Sequence, residues 1–374
     1  MNTRVYVLYT GGTLGMAPNN PSDPDSPLIP RPLHQVLAQL PCLTRNPTSE
    51  SNTLSVTLDN GNQINLDCAS ITPIDSADMT PDHWLTIAQH IAAVYDDYDG
   101  FVILHGTDAM AYTSSALSFL CENLAKPIVI TGSQLPIAAP DTDAIANVTH
   151  ALHIAGYQAS GLPLIPEVMI AFADKIIRGC RATKISTTHR SAFDSPNYPL
   201  LGTIGERIIV NTSVIQPVPI NSHCFVHATM VPHIGYLTIY PGCMTSTLRQ
   251  MLLSPDYTGL VLRTYGSGTT PSQTDFLTLI EQSVRGDAWI AGRIQPNSVP
   301  NGRLVVNISQ CPQGAVQMGL YASSQALLER GVLPGFDMTA EAALTKLMWT
   351  LGTPQETACR VRMQTNQRGE LTEL

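Results

Sequence analysis

Short apolar runs along the chain each end at a glycine or polar loop. Val5 to Tyr9 leads into Thr10-Gly11-Gly12-Thr13, and Phe101 to Leu104 leads into His105-Gly106-Thr107-Asp108. Ile128 to Ile130 leads into Thr131-Gly132-Ser133-Gln134, and Val168 to Phe172 leads into a polar stretch reaching Lys184. Runs with so few polar interruptions suit strands buried on both faces, as in a parallel sheet. Helices fall between them. Thr80 before Pro81 reads as an N-cap with proline at the first helical position. Trp84, Leu85, Ile87, Ala88 and Ile91 then recur at helical spacing, and a second helix is expected from Thr113 to Leu124. Leu54 to Leu66 alternates around Asn60-Gly61, a hairpin signal read as a two-stranded flap.

Strand–helix alternation predicts an α/β protein of the doubly wound kind, in which ligands bind beyond the carboxyl ends of strands. After Thr203 the pattern changes. Val214 to Val231 holds Pro217 and Pro219 with no helical period, and reads as a linker. A second α/β set follows, with strands at Gly235–Tyr240, Gly259–Tyr265 and Arg303–Ile308 and a helix from Thr339 to before Gly352. The expected fold is a larger N-terminal, mostly parallel sheet with helices on both faces, linked to a smaller C-terminal α/β domain. Its expected bounds are 1–210 for the N-terminal domain, 211–231 for the linker and 232–374 for the C-terminal domain.

Composition narrows the function classes. Of 374 residues, 44% are apolar and 13% charged, too apolar for a disordered chain. No run approaches the ~20 apolar residues of a membrane span. The formal net charge of −9 offers no global basic field for a phosphate backbone, so neither nucleic acid nor membrane is expected as a partner. Eight scattered cysteines without a CxxC read as reduced thiols. Met1 to Arg4 runs directly into an apolar strand, with no apolar targeting region, so a cytoplasmic protein is expected. Only four residues are lysines, which makes Lys184, set among hydroxyls, worth attention.

Three loops carry candidate chemistry, and each has a plain structural alternative. Thr10-Gly11-Gly12-Thr13-Leu14-Gly15 is neither a GxGxxG nor a P-loop. It presents the Thr13 hydroxyl on a glycine-framed turn whose amides can face developing negative charge, or it is a simple βα turn. His105-Gly106-Thr107-Asp108 sets a hydroxyl beside a carboxylate, or caps the helix that follows. Lys184 in Arg181-Ala182-Thr183-Lys184 can take a proton from a threonine if desolvated, or is a solvated loop lysine. Asp75-Ser76-Ala77-Asp78 reads by itself as an Asx turn.

Taken together, TGGTLG after the first strand, DSADM, DGFVILHGTDAMAYTSSALSF, ITGSQLPI and RATK…SPN resemble the L-asparaginase family, and more narrowly its cytoplasmic type I bacterial branch. The resemblance continues through TIYPG, LRTYGSG, NISQC, DMTAEAALTKL and RGELT, and so covers most of the chain. It implies hydrolysis of L-asparagine to L-aspartate and ammonia without metal or cofactor. It implies Thr13 as nucleophile and Thr107, Asp108 and Lys184 as the second catalytic group. Lys184 is then base or proton relay, Thr107 positions the water, and Asp108 also binds the substrate amine. Asp75 and Ser76 hold the amino-acid end, with Asp75 assigned the ammonium and Ser76 the carboxylate, because an aspartate facing a carboxylate is costly. Thr183, Arg263 and Cys311 stand at positions resembling an allosteric asparagine site. A homodimer or homotetramer is implied.

The sequence departs from the family pattern at Leu28, in Ser26-Pro27-Leu28-Ile29-Pro30, where a tyrosine closing over the nucleophile is expected. It also has Ala144 where glycine is common. The stretches 43–69, near 210–230 and 290–303 read as longer than the norm. The Leu28 departure keeps open a non-catalytic asparagine sensor and a slow, broader asparaginase/glutaminase. A metal hydrolase built on His223, Cys224, His227 and His233, or on His150 and His153, lacks a four-ligand pattern. A related amidotransferase subunit carries an extra N-terminal module, which is not expected here because the first strand starts at Val5.

Overall fold

A computed structural model describes residues 3–20, 22–23, 26–45, 54–220, 223–352 and 356–373. Pro21 and Pro24, two of the six prolines from Pro18 to Pro32, and 46–53 of the 43–69 stretch lie outside them. The chain divides into two compact units, Met1–His227 and Ala228–Leu374.

In the first unit, a ten-stranded sheet is built among the described residues. Its centre is five parallel strands in spatial order β2 (Gln63–Ile74), β1 (Thr3–Gly11), β3 (Gly100–Leu104), β4 (Ile128–Thr131) and β5 (Val168–Phe172). Antiparallel strands extend both edges. The apolar runs behave as two-face-buried strands. Val5, Val7 and Tyr9 share a core with Val148, Ala151 and Leu152 of the helix Ala144–Ala155. From the opposite face of β1, the Tyr6 ring meets those of Tyr98 and Phe101, at 4.9 and 6.5 Å between centroids. Each such aliphatic side chain, once fully buried, contributes about 1.5–3 kcal/mol.

α1 (Pro81–Ala93) starts at the expected cap, with the Thr80 amide donating to His83 Nδ1 at 3.1 Å. It buries Trp84, Ile87, Ala88 and Ile91. α2 spans Met110–Leu120 rather than 113–124. Its continuation is captured as strand Cys121–Glu122, which pairs antiparallel with Phe225–Val226, while the His227 amide bonds Leu120 O. A partner a hundred residues away decides that helix end.

The Leu54–Leu66 alternation does form antiparallel strands, turning at Gly61 with φ +79°. The arrangement is not a free flap, because Thr3 to Tyr9 of β1 run parallel to Ile64 to Ser70. Met16–Pro18 pairs antiparallel with Leu28–Pro30, and Leu28 is 44% exposed.

The second unit holds a parallel sheet in the order β6 (Ile234–Thr238), β7 (Gly259–Thr264), β8 (Leu304–Ser309) and Leu333–Pro334. Thr339 caps the helix Ala340–Leu351 through the Ala342 amide. Lys346 on that helix forms a wholly buried ion pair with Glu370 of the terminal RGELT. Its Nζ also donates to Met363 O and Thr365 O at 3.2 and 2.8 Å. The two C-terminal motifs therefore join one internal charge pair.

Candidate active site

The carboxyl ends of β1, β2 and β3 are adjacent, so the TGGT, DSAD and HGTD loops emerge side by side. Their contact is backbone on backbone. Gly12 has φ +87°, and a Cβ there would lie 2.3 Å from Gly106 Cα. A Cβ on Gly106 would lie 2.5 Å from Ser76 Oγ. The Gly12 amide donates to Ile74 O at 3.2 Å. Glycine is thus required by approach as well as by φ. Thr13 follows directly, half-buried, opening a single turn Thr13–Gly15.

Lys184 closes the cluster. Its Nζ donates to Thr107 Oγ1 at 2.9 Å and to Asp108 Oδ1 at 2.7 Å. The lysine side chain is 19% exposed and that of Asp108 66%. Thr107 is buried. The Asp108 amide donates to Ser76 Oγ at 3.2 Å. Ser76 thus accepts from the protein and keeps its own proton to donate. Asp75 is exposed and accepts from the Ala77 amide at 3.0 Å, the Asx-type turn the sequence suggests. A threonine hydroxyl, an ammonium and a carboxylate in contact can pass a proton and hold a substrate amine.

Several supports were not legible as such. Lys184 sits on the two-residue strand Thr183–Lys184, paired with Phe193–Asp194. Arg181 of RATK is fully buried, and its guanidinium stacks with that of Arg178 on the Tyr198 ring, at 4.7 and 4.6 Å. That contact ties RATK to the residue just after SPN. The buried Asp143 carboxylate accepts from the Gln134 and Leu135 amides, and Asn147 Nδ2 donates to Gly132 O at 2.9 Å. The GSQ loop is held this way from the N-terminal end of the helix Ala144–Ala155.

Other candidates lie elsewhere. Arg263, on β7, donates through its guanidinium to Ser309 O and Gln310 O in the second unit, at 3.5 and 3.1 Å. Cys311 is exposed there, and its amide donates to Ser309 Oγ at 2.9 Å. Cys224 and His227 of the His223–Cys224–His227 grouping go to separate partners. Cys224 hydrogen-bonds the buried Cys121 thiol, whereas His227 Nε2 meets Glu122 Oε2 at 2.8 Å. Burial lowers the pKa of His150 and of His153. Among the described residues, no group of three or more His, Cys, Asp or Glu side chains is arranged to hold a metal. No helix among them is long and apolar enough to cross a membrane.

Comparison with known proteins covers both units. The family model described as Asparaginase, N-terminal, matches residues 4–216. The model described as Glutaminase/Asparaginase C-terminal domain matches residues 233–363. The chain is 40% identical over 372 residues to L-asparaginase 1 of Escherichia coli K12, covering 98% of each. It is 38% identical over 368 residues to the mouse 60 kDa lysophospholipase, covering 94% of this chain and 59% of the relative. The crystal structure of L-asparaginase I from Vibrio cholerae superposes with a TM-score of 0.79 at 35% identity, covering all of both chains.

Proposed function

The chain belongs to the asparaginase family across both of its units, and from that premise we propose that it is an L-asparagine amidohydrolase of the cytoplasmic type I branch. The observation that carries the reading is Lys184 bonded at once to Thr107 and Asp108, on the loop that packs against the Thr13 turn. In this scheme the Thr13 hydroxyl attacks the side-chain amide carbon of asparagine. Amide hydrogens of the glycine-framed loops stabilise the tetrahedral oxyanion. The C–N bond breaks, the nitrogen leaves as ammonia after taking a proton, and a β-aspartyl ester remains on Thr13. Water positioned by Thr107, with Lys184 relaying its proton, then hydrolyses the ester and releases aspartate. Asp108 and Asp75 face the substrate ammonium, and Ser76 meets the α-carboxylate.

The test is ammonia release from L-asparagine, L-glutamine and D-asparagine by wild type and Thr13→Ala, with a lysophospholipid as control because one relative bears that name. Turnover of L-asparagine, abolished in a folded Thr13→Ala protein, is expected. Absence of turnover by the wild type sinks the proposal in favour of an asparagine-binding sensor. The exposed Leu28, which brings no hydroxyl to the nucleophile, is what favours that second reading or a slow, broader asparaginase/glutaminase.

The proposal extends to a catalytic N-terminal domain with a linker over 211–231, a homodimer or homotetramer, and asparagine activation through Thr183, Arg263 and Cys311. Thr183 directly precedes Lys184, so an effector held there reaches the base through one peptide unit. Light scattering reports the oligomer. Hyperbolic asparagine kinetics unchanged in Arg263→Ala would remove the allosteric part.

A further inference from the structure

Behind the Thr107–Asp108 loop runs a buried hydrogen-bond chain that the scheme above does not use. His105 Nδ1 lies 2.7 Å from Gly106 O, and its Nε2 lies 2.9 Å from Thr113 Oγ1. Trp84 Nε1 lies 2.9 Å from the same Thr113 oxygen. His105, Thr113 and Trp84 are all buried. The donor inventory sets every direction. A carbonyl only accepts, so the one proton of the neutral imidazole sits on Nδ1 and leaves Nε2 an acceptor. An indole N–H only donates, so Thr113 Oγ1 accepts from Trp84 and gives its single proton to Nε2. Burial pushes the His105 pKa down to about 4, the Gly106 carbonyl opposing weakly, and the ring is neutral.

The consequence falls on one peptide plane. The chain has no cis peptides among its described residues, and in a trans peptide C=O and N–H point in opposite directions. Holding Gly106 O toward His105 turns the Thr107 N–H the other way. Thr107 is buried, yet no group among the described residues accepts from that amide. Gly106 is also fixed laterally between Ser76 Oγ and Gly12 Cα.

We propose that His105 is a positioning residue whose Nδ1–H tautomer, complemented by the Thr113 hydroxyl that Trp84 orients, locks the Gly106–Thr107 peptide and aims the Thr107 amide at the oxyanion formed during amide hydrolysis. The inference rests on the functional reading above and supplies it with a named donor and the group that holds it.

His105→Asn and His105→Gln separate this role from mere packing. The asparagine side chain places an N–H near the Nδ1 position, whereas glutamine carries it outward toward Nε2. In the full-length protein, nitrogen NMR of labelled histidine is expected to show a neutral ring protonated on Nδ1, assigned by its loss in His105→Asn. For L-asparagine, His105→Gln is expected to lower kcat on the order of 10- to 100-fold. KM should stay within about twofold, since an oxyanion donor acts in the transition state. His105→Asn is expected to recover kcat to within about fivefold, at a melting temperature equal to that of the glutamine variant. The Thr107 amide resonance should move in the glutamine variant and stay in the asparagine variant. A proton on Nε2, wild-type kcat in His105→Gln, or equal losses that follow melting temperature would each overturn the proposal. If the wild type releases no ammonia, the functional reading falls by itself. The tautomer and the Thr107 resonance then still decide whether His105 sets the peptide.

Discussion

Gly12→Ala tests the loop packing on which the whole site depends. Gly12 sits at φ +87°, and an added Cβ would meet Gly106 Cα and N at 2.3 Å and His105 C at 2.8 Å. These are backbone atoms and cannot rotate away. With ψ at 174° the residue is extended at positive φ, a conformation that costs a non-glycine residue about 1–3 kcal/mol. Overpacking adds about 1–3 kcal/mol. The sum of about 2–6 kcal/mol lies within the stability of an ordinary domain, so the variant should fold. At roughly 2–4 °C per kcal/mol its melting temperature should drop by roughly 4–24 °C. Restoring ordinary contact requires the Thr13 and Thr107 loops to part by about 1 Å, which costs on the order of 100-fold in turnover. Gly61→Ala is the matched control, since Gly61 has φ +79° and nothing within 4 Å. It carries a positive-φ cost without the backbone contact, and its kcat should stay within about twofold of wild type. Calorimetry and ammonia release on both variants give the comparison. Equal turnover in the two would refute the reasoning, because the Gly12–Gly106 approach would then carry no functional weight.

Other consequences are more local. Lys346→Met leaves Glu370 buried without its cation and should destabilise the second unit by about 3–5 kcal/mol, whereas Lys346→Met with Glu370→Leu should recover much of that in denaturant titrations. Lys184→Met should lower kcat for L-asparagine by at least about 100-fold with a small change in melting temperature, since it removes the group bonded to both Thr107 and Asp108; unchanged kcat would displace Lys184 from the scheme. His105 binds its proton more weakly folded than unfolded, so the unfolded chain takes up the extra proton as pH falls. Its contribution is complete above about pH 6.5 and is lost on descent toward about pH 4, by about 3 kcal/mol in all. His150 and His153 are shifted in the same direction and add to the slope. Urea midpoints across that range should fall less steeply for His105→Asn than for wild type.

Much of the site was legible because it is local. An apolar run ending in Gly-Gly-Thr or Gly-Thr-Asp specifies both a buried parallel strand and the loop at its carboxyl end, and those loops do emerge together from β1 and β3. Thr80-Pro81 and Thr339 announced their helices through chemistry confined to one turn. The Leu54–Leu66 alternation showed strands that pair with each other, but no local signal says that a strand also has β1 on its other side. The end of α2 escapes a local reading for the same reason, since the turn that would continue it is taken by a strand about a hundred residues further on.

By itself the sequence determined the strand and loop units, the helix caps, the acidic balance and the residue types able to do amide chemistry, because period, turn propensity and side-chain chemistry are properties of neighbouring residues. Only the tertiary structure decided which of those residues meet. It brought Lys184 to Thr107 and Asp108 across more than seventy residues, and set Gly12 against Gly106. It sent Cys224 and His227 to separate partners, Cys121 and Glu122. It also gave His105, Thr113 and Trp84 their directions as a hydrogen-bond chain. Burial is the physical reason. Inside the fold a polar group must find its partner among whatever the packing places beside it, and that choice is made by the whole chain.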